Sequence, residues 1–297
     1  MKIKASNRAI KSKSRTITFA IAFGVFVAYS LFILYFLLFA IILALKPTAQ
    51  QFILDKMNVK LFTFPTNPTL NNFIGAFEQF KIGTHTYPEM IFHSLWRSIG
   101  STLIGWTCSA MVTYILVFYR NRFTKFIYFL GFFLSTLPLY GAGPAEYKLF
   151  TQIGFINNPL ILITNITLYG GHFFYMYAFW KGISWEYAEA AYVDGAGEYM
   201  VFFKIMFPMA IPSMMALFVM SFISNWNAYE GTLLYMTEYP NLSYALYAYE
   251  NNTKYNSQLG KPAYFAGLLV SLLPILTLFL VFQNTIMERV YIGGLKG

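Results

Sequence analysis

Residues 189–208 read EAAYVDGAGEYMVFFKIMFP, and they separate two long apolar runs at about 159–180 and 211–235. An apolar run of about twenty residues is long enough to cross the hydrocarbon core of a bilayer as a helix. The stretch itself carries acidic and polar residues near its start, so it does not continue either run. The sequence therefore predicts a loop between two membrane-spanning helices.

The loop has the signals of two short helices. Ser184 can cap the first by accepting hydrogen bonds from the amides that follow it. Gly195 tolerates the left-handed backbone that often ends a helix, and Pro208 cannot continue one in its interior. We expect a first helix at about 185–193 and a second at 196–208.

The composition of the whole chain is that of a bilayer protein. Of its 297 residues, 57% are hydrophobic and 11% are charged, and the charges lie in short clusters between long apolar runs. The single cysteine, Cys108, lies inside an apolar run and is expected to pack inertly. These features exclude a soluble domain.

Six apolar windows are long enough to span a membrane. They lie at about 17–45, 98–118, 126–144, 159–180, 211–235 and 263–287. The first covers 29 residues, and we expect a retained helix there because a signal peptide has a much shorter apolar region. The expected fold is all-α and integral to the membrane, with six transmembrane helices.

The distribution of Lys and Arg predicts the orientation. Thirteen of the 21 cations lie in short segments on one side, at the amino terminus, at 119–125, at 181–210 and in the carboxy-terminal tail. The remaining cations are spread over much longer loops. Both termini and the 189–208 loop are therefore predicted to be cytoplasmic. This bias accounts for the net charge of +9 without a nucleic-acid partner.

The sequence contains no motif for bond chemistry or metal binding. No Gly-x-x-x-x-Gly-Lys-Ser/Thr follows an apolar strand, and there is no His-Glu-x-x-His and no Cys/His cluster with metal-ligand spacing. We therefore assign no catalytic or metal-binding residues and no cofactor to this chain. If ATP drives the protein, ATP and Mg²⁺ bind to another chain.

The loop resembles the cytoplasmic EAA loop in the membrane subunits of bacterial ABC importers. That pattern is Glu-Ala-Ala, two residues, Asp-Gly-Ala, about eight residues, an aliphatic residue, two residues and Pro. The chain has every anchor at this spacing: Glu189, Ala190, Ala191, Asp194, Gly195, Ala196, Ile205 and Pro208. The resemblance implies a coupling loop at about 184–208, with a cytoplasmic coupling helix between transmembrane helices 4 and 5 that docks on an ATP-hydrolysing subunit. From the residues alone, an ordinary amphipathic surface loop is the alternative.

Within this loop we expect Glu189 to pair with a basic group of the ATPase partner. A charge-reversing substitution of Glu198, on the second predicted helix, is expected to matter much less.

Two further segments resemble the carbohydrate-uptake branch of this family, and in particular the second maltose-type permease. The tail resembles the branch's short Gly-rich end, which implies contact with the ATPase subunits through Gly293, Gly294, Lys296 and Gly297. The Trp-Asn signature of the branch is matched at Asn225, Trp226 and Asn227.

Asn225, Trp226 and Asn227 are candidates for the substrate path. An indole between two amides suits a sugar, which stacks on apolar faces and forms hydrogen bonds through its hydroxyls. Hydrogen bonds between helices explain the asparagines equally well. Elsewhere in the membrane, His172 is expected to form a hydrogen bond between helices, with binding of substrate as the alternative. Arg97 is expected to anchor at the outer interface or to line the outer mouth.

The outer loop between the last two spans holds Tyr239, Pro240, Leu242 and Tyr244. In the resembled family the equivalent loop enters the sugar-binding protein. A proline turn followed by aromatics fits contact with an extracellular or periplasmic solute-binding protein, and it also fits an interfacial aromatic belt.

We therefore expect residues 1–90 to form an N-terminal transmembrane helix with an outer loop, and residues 91–297 to form the transmembrane core of an ABC importer. The resemblance implies a multi-pass permease of the bacterial cytoplasmic (inner) membrane, surrounded by lipid, that carries a carbohydrate by alternating access and is not an enzyme. Its implied partners are a second homologous permease, two ATP-binding subunits and the solute-binding protein. One alternative is a permease for a peptide or glycerol phosphate. The other is an integral membrane transferase, and such an enzyme would be expected to contain clusters of Asp, Glu or His.

Overall fold

The structure is a computed structural model that describes residues 2–47, 49–58, 60–137, 143–166, 169, 172–255 and 260–293. Its helices are α1 (Lys2–Ala44), α2 (Ala49–Met57), α3 (Asn71–Gln79), α4 (Tyr87–Phe118), α5 (Arg122–Thr136), α6 (Gly143–Gln152), α7 (Phe173–Lys181), α8 (Glu186–Val193), α9 (Glu198–Met200), α10 (Phe207–Asn227), α11 (Glu230–Tyr235), α12 (Leu242–Tyr255) and α13 (Lys261–Gly293). A 3-10 helix, Pro159–Asn165, precedes α7, and a π-helix, Val201–Met206, joins α9 to α10. Over these residues the all-α prediction is confirmed, since the only extended pairing is a single bridge between Ile82 and His85.

Three of the described helices are long and apolar enough to cross a membrane: Arg15–Ala44, Tyr87–Phe118 and Lys261–Thr285. Glu198–Pro212 and Met214–Asn227 meet at a bend of 76° and would add a fourth if they form one broken span. The bend follows Pro212, whose ring lacks an N–H and crowds the carbonyl one turn before it. Helices of this length and apolarity agree with an integral membrane fold.

The window at 159–180 differs most from the sequence prediction. Its described residues form the 3-10 helix and α7 as two separate elements, so the expected single helix is wrong here. Asn158 begins the 3-10 helix, because its side chain accepts a hydrogen bond from the Leu160 N–H at 3.0 Å. The sequence that follows is rich in β-branched residues, Asn and Gly, which have low helix propensity. The apolar window was chosen by hydrophobicity, which does not depend on helix propensity.

Two other windows are divided differently from the prediction. α5 covers 15 residues and ends at Thr136, within the window at 126–144. α10 ends at Asn227, and α11 follows as a separate short helix inside the window at 211–235. Apolar composition therefore located these helices but not their ends.

Contacts divide the chain into two units, and the first comprises residues 1–76 and 250–270. In it, the Asn72 side-chain amide donates to the carbonyls of Ala44 and Lys46, both at 2.7 Å. These carbonyls lie at the end of α1 and two residues beyond it, where the helix offers them no partner. The fully buried Lys46 ammonium forms an ion pair with Asp55 of α2. The carboxylate compensates for the water that the ammonium loses on burial.

The second unit comprises residues 77–249 and 271–297. In it, α4 packs against α7 and α10 through a buried core that includes two indoles. Trp180 Nε1–H donates to the Ala110 carbonyl at 2.9 Å, and Trp106 Nε1–H donates to the Met214 carbonyl at 3.3 Å. Both indoles are thus buried with their single donor satisfied. This core positions the loop that follows α7.

Candidate functional site

The predicted loop contains α8 at the expected position. Ser184 Oγ accepts a hydrogen bond from the Glu186 N–H at 3.3 Å, which satisfies one of the free amides at the start of the helix. Glu186 and Glu189 lie in the first turn, where the positive end of the helix dipole favours carboxylates. The local sequence therefore accounts for where α8 begins.

Two backbone hydrogen bonds close the end of α8. The Gly195 N–H donates to the Tyr192 carbonyl at 3.0 Å, and the Ala196 N–H donates to the Ala191 carbonyl at 2.9 Å. This is a Schellman motif, which places a left-handed residue just after the helix. Gly195 has a φ of +83°, so its predicted left-handed conformation is confirmed. The space where a Cβ would stand is open, and only backbone strain opposes a larger residue.

One face of α8 lies in the core and the other is exposed. Ala188 is fully buried and Ala191 is 7% exposed, in the cluster that contains Trp180 and Phe202. The small side chains therefore allow α8 to approach this chain's own core closely. Four of the predicted docking residues are exposed: Glu189, Ala190, Asp194 and Gly195. Ala196 is half-buried.

The second half of the loop differs from the prediction, because the chain does not leave the helical path at Pro208. It continues from α9 through the π-helix into α10. Pro208 lies in the first turn of α10, and the Phe207 N–H before it bonds to the Phe202 carbonyl five residues back. This wider turn makes room beside the proline ring. Pro208 is exposed, and Ile205 is half-buried against the core cluster.

Glu198 joins three segments around the loop. Its carboxylate accepts a hydrogen bond from Tyr192 Oη of α8 at 2.7 Å, and another from Tyr119 Oη, just after α4. Burial is the main cause that raises the pKa of the Tyr192 hydroxyl. Sequence reasoning missed this role because 79 residues separate Tyr119 from Glu198.

Aromatic rings also attach the start of α8 to the end of α4. Trp185 stacks on Phe118, with the ring centroids 4.9 Å apart, and its ring lies 6.0 Å from that of Tyr192. Phe118 in turn packs on Tyr114 at 5.1 Å. α8 is therefore fixed to α4 by stacking at its start and by the Glu198 hydrogen bonds at its end.

A polar cavity of about 180 Å³ lies between α4, the 3-10 helix, α7 and α10. Its lining consists of Ser101, Thr102, Gly105, Trp106, Ser109, Thr164, Asn165, His172, Met176, Ser221 and Asn225. None of these residues is Asp, Glu, Lys or Arg. A neutral but polar cavity inside a membrane domain marks a candidate site.

Of the three residues predicted for the substrate path, only Asn225 lines this cavity. Its Nδ2 donates to Thr102 Oγ1 at 3.1 Å, so it links two helices as well. Trp226 is 1% exposed, and its Nε1–H donates to the Ser271 carbonyl at 3.2 Å, which makes it a packing residue. Asn227 is exposed at the end of α10.

Arg97 and His172 also have defined positions. The half-buried Arg97 guanidinium donates to Thr232 Oγ1 of α11, and it does not line the cavity. His172 does line it, and within the described part of the chain its imidazole has no hydrogen-bond partner. The hydrogen bond between helices that was expected for this imidazole is therefore not formed among those residues.

The predicted binding-protein loop is largely packed into the chain itself. Pro240 is buried, and Leu242 is 1% exposed. The Leu242 N–H donates to Ser94 Oγ at 2.7 Å, which holds the loop on α4. Tyr239 and Tyr244 are half-buried, so among the four predicted residues these two retain surface for a contact with another protein.

The predicted tail begins at the end of α13, whose last residue is Gly293. Gly294, Lys296 and Gly297 lie outside the described residues. The predicted contact of this tail with the ATPase subunits stays a prediction.

Residues 101–290, which include the loop and the cavity, match the family model of the binding-protein-dependent transport system inner membrane component. The chain is 25% identical to the diacetylchitobiose uptake system permease protein NgcG of Streptomyces coelicolor, over 97% of this chain and 92% of that protein. It is 28% identical to the arabinooligosaccharides transport system permease protein AraQ of Halalkalibacterium halodurans, over 91% of this chain and 94% of the relative.

A solved structure has the same fold. It is the crystal structure of a bacterial ABC transporter involved in the import of the acidic polysaccharide alginate. One of its chains superposes with a TM-score of 0.69 at 17% identity, covering 90% of this chain and 95% of that one.

Proposed function

The chain belongs to the family of binding-protein-dependent transport system inner membrane components, and from this premise we propose that it is a permease subunit of an ATP-driven ABC importer for a carbohydrate. The family match over residues 101–290 is the observation that carries the proposal. Similarity to permeases named for diacetylchitobiose and arabinooligosaccharides supports a carbohydrate, and within that class an oligosaccharide. The chain transports and is not an enzyme.

The importer contains this permease, a second homologous permease, two ATP-binding subunits and a solute-binding protein outside the membrane. This chain crosses the bacterial cytoplasmic membrane six times with both termini in the cytoplasm. Three long apolar helices and the bent pair ending at Asn227 support four crossings. α5 and the segment from the 3-10 helix to α7 supply the remaining two.

ATP-driven closure of the partner subunits is passed to the membrane through α8. The exposed Glu189–Ala190 edge and the Gly195 turn meet the ATPase, and Gly293, Gly294, Lys296 and Gly297 contact it from the tail. The stacking of Trp185 on Phe118 and the two hydrogen bonds of Glu198 transmit the displacement to α4. Helices that move together in this way produce alternating access.

A permease for a non-sugar solute is the nearest alternative. The cavity lining has no Lys or Arg, which disfavours a phosphorylated solute such as glycerol phosphate. An integral membrane transferase is the third candidate, and the match of residues 101–290 to a transport component disfavours it.

Reconstitution tests the proposed function. The four membrane components are placed in proteoliposomes with ATP inside and the cognate binding protein outside, and uptake of labelled diacetylchitobiose, arabinotriose and raffinose is measured. We expect ATP-dependent uptake of at least one of these sugars. The purified single chain is the control and should hydrolyse no ATP. Uptake of none of the sugars, with transport of a peptide or glycerol phosphate instead, would reject the carbohydrate assignment.

A further inference from the structure

The polar cavity contains hydrogen-bonding groups for which the described residues provide no partner. Asn165 Nδ2 donates to Ser101 Oγ at 3.2 Å and to the Leu162 carbonyl at 3.1 Å, and Asn225 Nδ2 donates to Thr102 Oγ1. The Oδ1 atoms of both asparagines accept no hydrogen bond from the described residues. The Ser221 hydroxyl and the His172 imidazole are also without partners there. Such groups in a membrane domain are stable only if water or a ligand bonds to them.

The volume limits what can bind. A cavity of about 180 Å³ would hold about six water molecules at roughly 30 Å³ each. It is smaller than the roughly 300–1,000 Å³ of pockets that enclose a drug-sized ligand. One ring-sized unit of a longer molecule fits this limit, and a whole oligosaccharide does not.

The lining is neutral and presents both donors and acceptors. The amide oxygens of Asn165 and Asn225, which accept nothing from the described residues, can accept hydrogen bonds from hydroxyls, and Ser221 and His172 can donate or accept. A carboxylate or phosphate would lose its water without gaining a cation. Arg97, one turn before Ser101 on α4, is bonded to Thr232 and does not line the cavity.

We infer that this cavity is a subsite for one neutral, hydroxyl-rich ring of the transported carbohydrate. This inference rests on the proposed function and adds the charge class and size of the unit that is bound. The Trp106 indole gives the ring an apolar surface to contact, and the four unused polar groups bond its hydroxyls. Uronic acid rings are disfavoured because the lining contains no Lys or Arg to compensate the charge of their carboxylate.

Cysteine accessibility tests the subsite on two serines of α10. Ser221 lines the cavity, whereas Ser224, three residues later, is exposed on the outer surface of the chain. The native Cys108 is the only cysteine of this chain, so Cys108→Ser leaves this chain without a thiol. Ser221→Cys and, as the matched control, Ser224→Cys are reconstituted in the complete importer and treated with a small neutral methanethiosulfonate.

We expect Ser221→Cys to react in the cycling importer. Diacetylchitobiose, arabinotriose or raffinose, whichever the importer carries, should slow the reaction about tenfold when present at about ten times its dissociation constant. Trigalacturonate should not slow it, and no sugar should change the reaction of Ser224→Cys. A Ser221→Cys that does not react, that no neutral sugar protects, or that only trigalacturonate protects would overturn the inference.

Uptake measured in the same vesicles separates this inference from the proposed function. Uptake of a neutral sugar without protection of Ser221→Cys rejects the subsite and leaves the importer function in place. Absence of uptake of every sugar by the unsubstituted importer rejects the proposed function itself, and the subsite with it.

Discussion

The Tyr192 hydroxyl donates a 2.7 Å hydrogen bond to the Glu198 carboxylate across the Gly195 turn. The two residues are six positions apart, so the bond closes the loop on itself and joins the end of α8 to the start of the next helix. Tyr119 brings the end of α4 to the same carboxylate. The loop therefore has a defined geometry within this chain before any partner binds.

Reversing the charge of Glu198 should disturb this geometry. The sequence alone suggested a mild effect, but Glu198→Lys removes the acceptor for both tyrosine hydroxyls. Each such hydrogen bond contributes roughly 0.5–1.5 kcal/mol to the free energy of unfolding. The contribution here lies towards the lower end of that range because Glu198 is exposed to solvent. We expect a lower thermal midpoint of unfolding and reduced uptake for Glu198→Lys.

A double-mutant cycle checks the Glu198 prediction. Glu198→Gln and Tyr192→Phe should show non-additive effects on the free energy of unfolding, because they act on one hydrogen bond. Tyr187→Phe is the matched control, since Tyr187 lies on the exposed face of the same helix. Additive effects for the Glu198 and Tyr192 pair would argue against a structural role of the bond.

Gly195→Val should disrupt coupling by straining the backbone. At the observed φ of +83° a side chain costs about 1–2 kcal/mol, and a β-branched one more. Gly197→Val is the control, since Gly197 has a φ of −80°, which valine adopts readily. We expect Gly195→Val to lose uptake and co-purification of the ATPase while still inserting in the membrane. Equal behaviour of the two variants would contradict the turn's importance.

Glu189→Lys should weaken docking directly. Loss of one member of a partly desolvated charge pair costs about 2–5 kcal/mol, against less than about 1 kcal/mol for an exposed pair. We expect uptake to be abolished and co-purification of the ATPase to fall, measured in detergent extracts. Glu146→Lys, on the exposed surface of α6, changes net charge equally and should do neither. Normal co-purification of Glu189→Lys would show that this carboxylate has no partner.

Deleting residues 294–297 should lower ATP hydrolysis stimulated by the loaded binding protein while leaving assembly intact. The glycines of this tail have little helical preference and can enter a narrow site, and Lys296 adds a cation. The measurement is stimulated ATPase activity of the reconstituted importer, with Lys296→Ala alone as a milder variant. Unchanged stimulation in the deletion would remove the tail from the coupling contacts.

Local signals in the sequence predicted part of the molecule well. Ser184 and Gly195 located α8, because a cap and a left-handed glycine act within a few residues. The predicted helix end at Pro208 was wrong, because a proline alone does not indicate the π-helix that precedes it. The contacts of Glu198 join residues far apart in the chain, which no local pattern predicts.

A pattern of small and polar residues on α4 indicates the cavity. α4 has polar or small residues at Ser98, Ser101, Thr102, Gly105 and Ser109, spaced along one helical face. A polar stripe on a membrane helix faces other helices or a cavity. The Trp-Asn signature instead points to Trp226, which packs against α13.

Site-specific photo-crosslinking at α8 tests the central claim most directly. Ala190 is exposed and Ala188 is fully buried on the same helix. Each is changed to cysteine in the Cys108→Ser background and labelled with benzophenone maleimide in the assembled importer. The account predicts a crosslinked product that contains the ATP-hydrolysing subunit from Ala190→Cys and none from Ala188→Cys. Absence of that product from Ala190→Cys, in an importer that still transports, would contradict docking through α8.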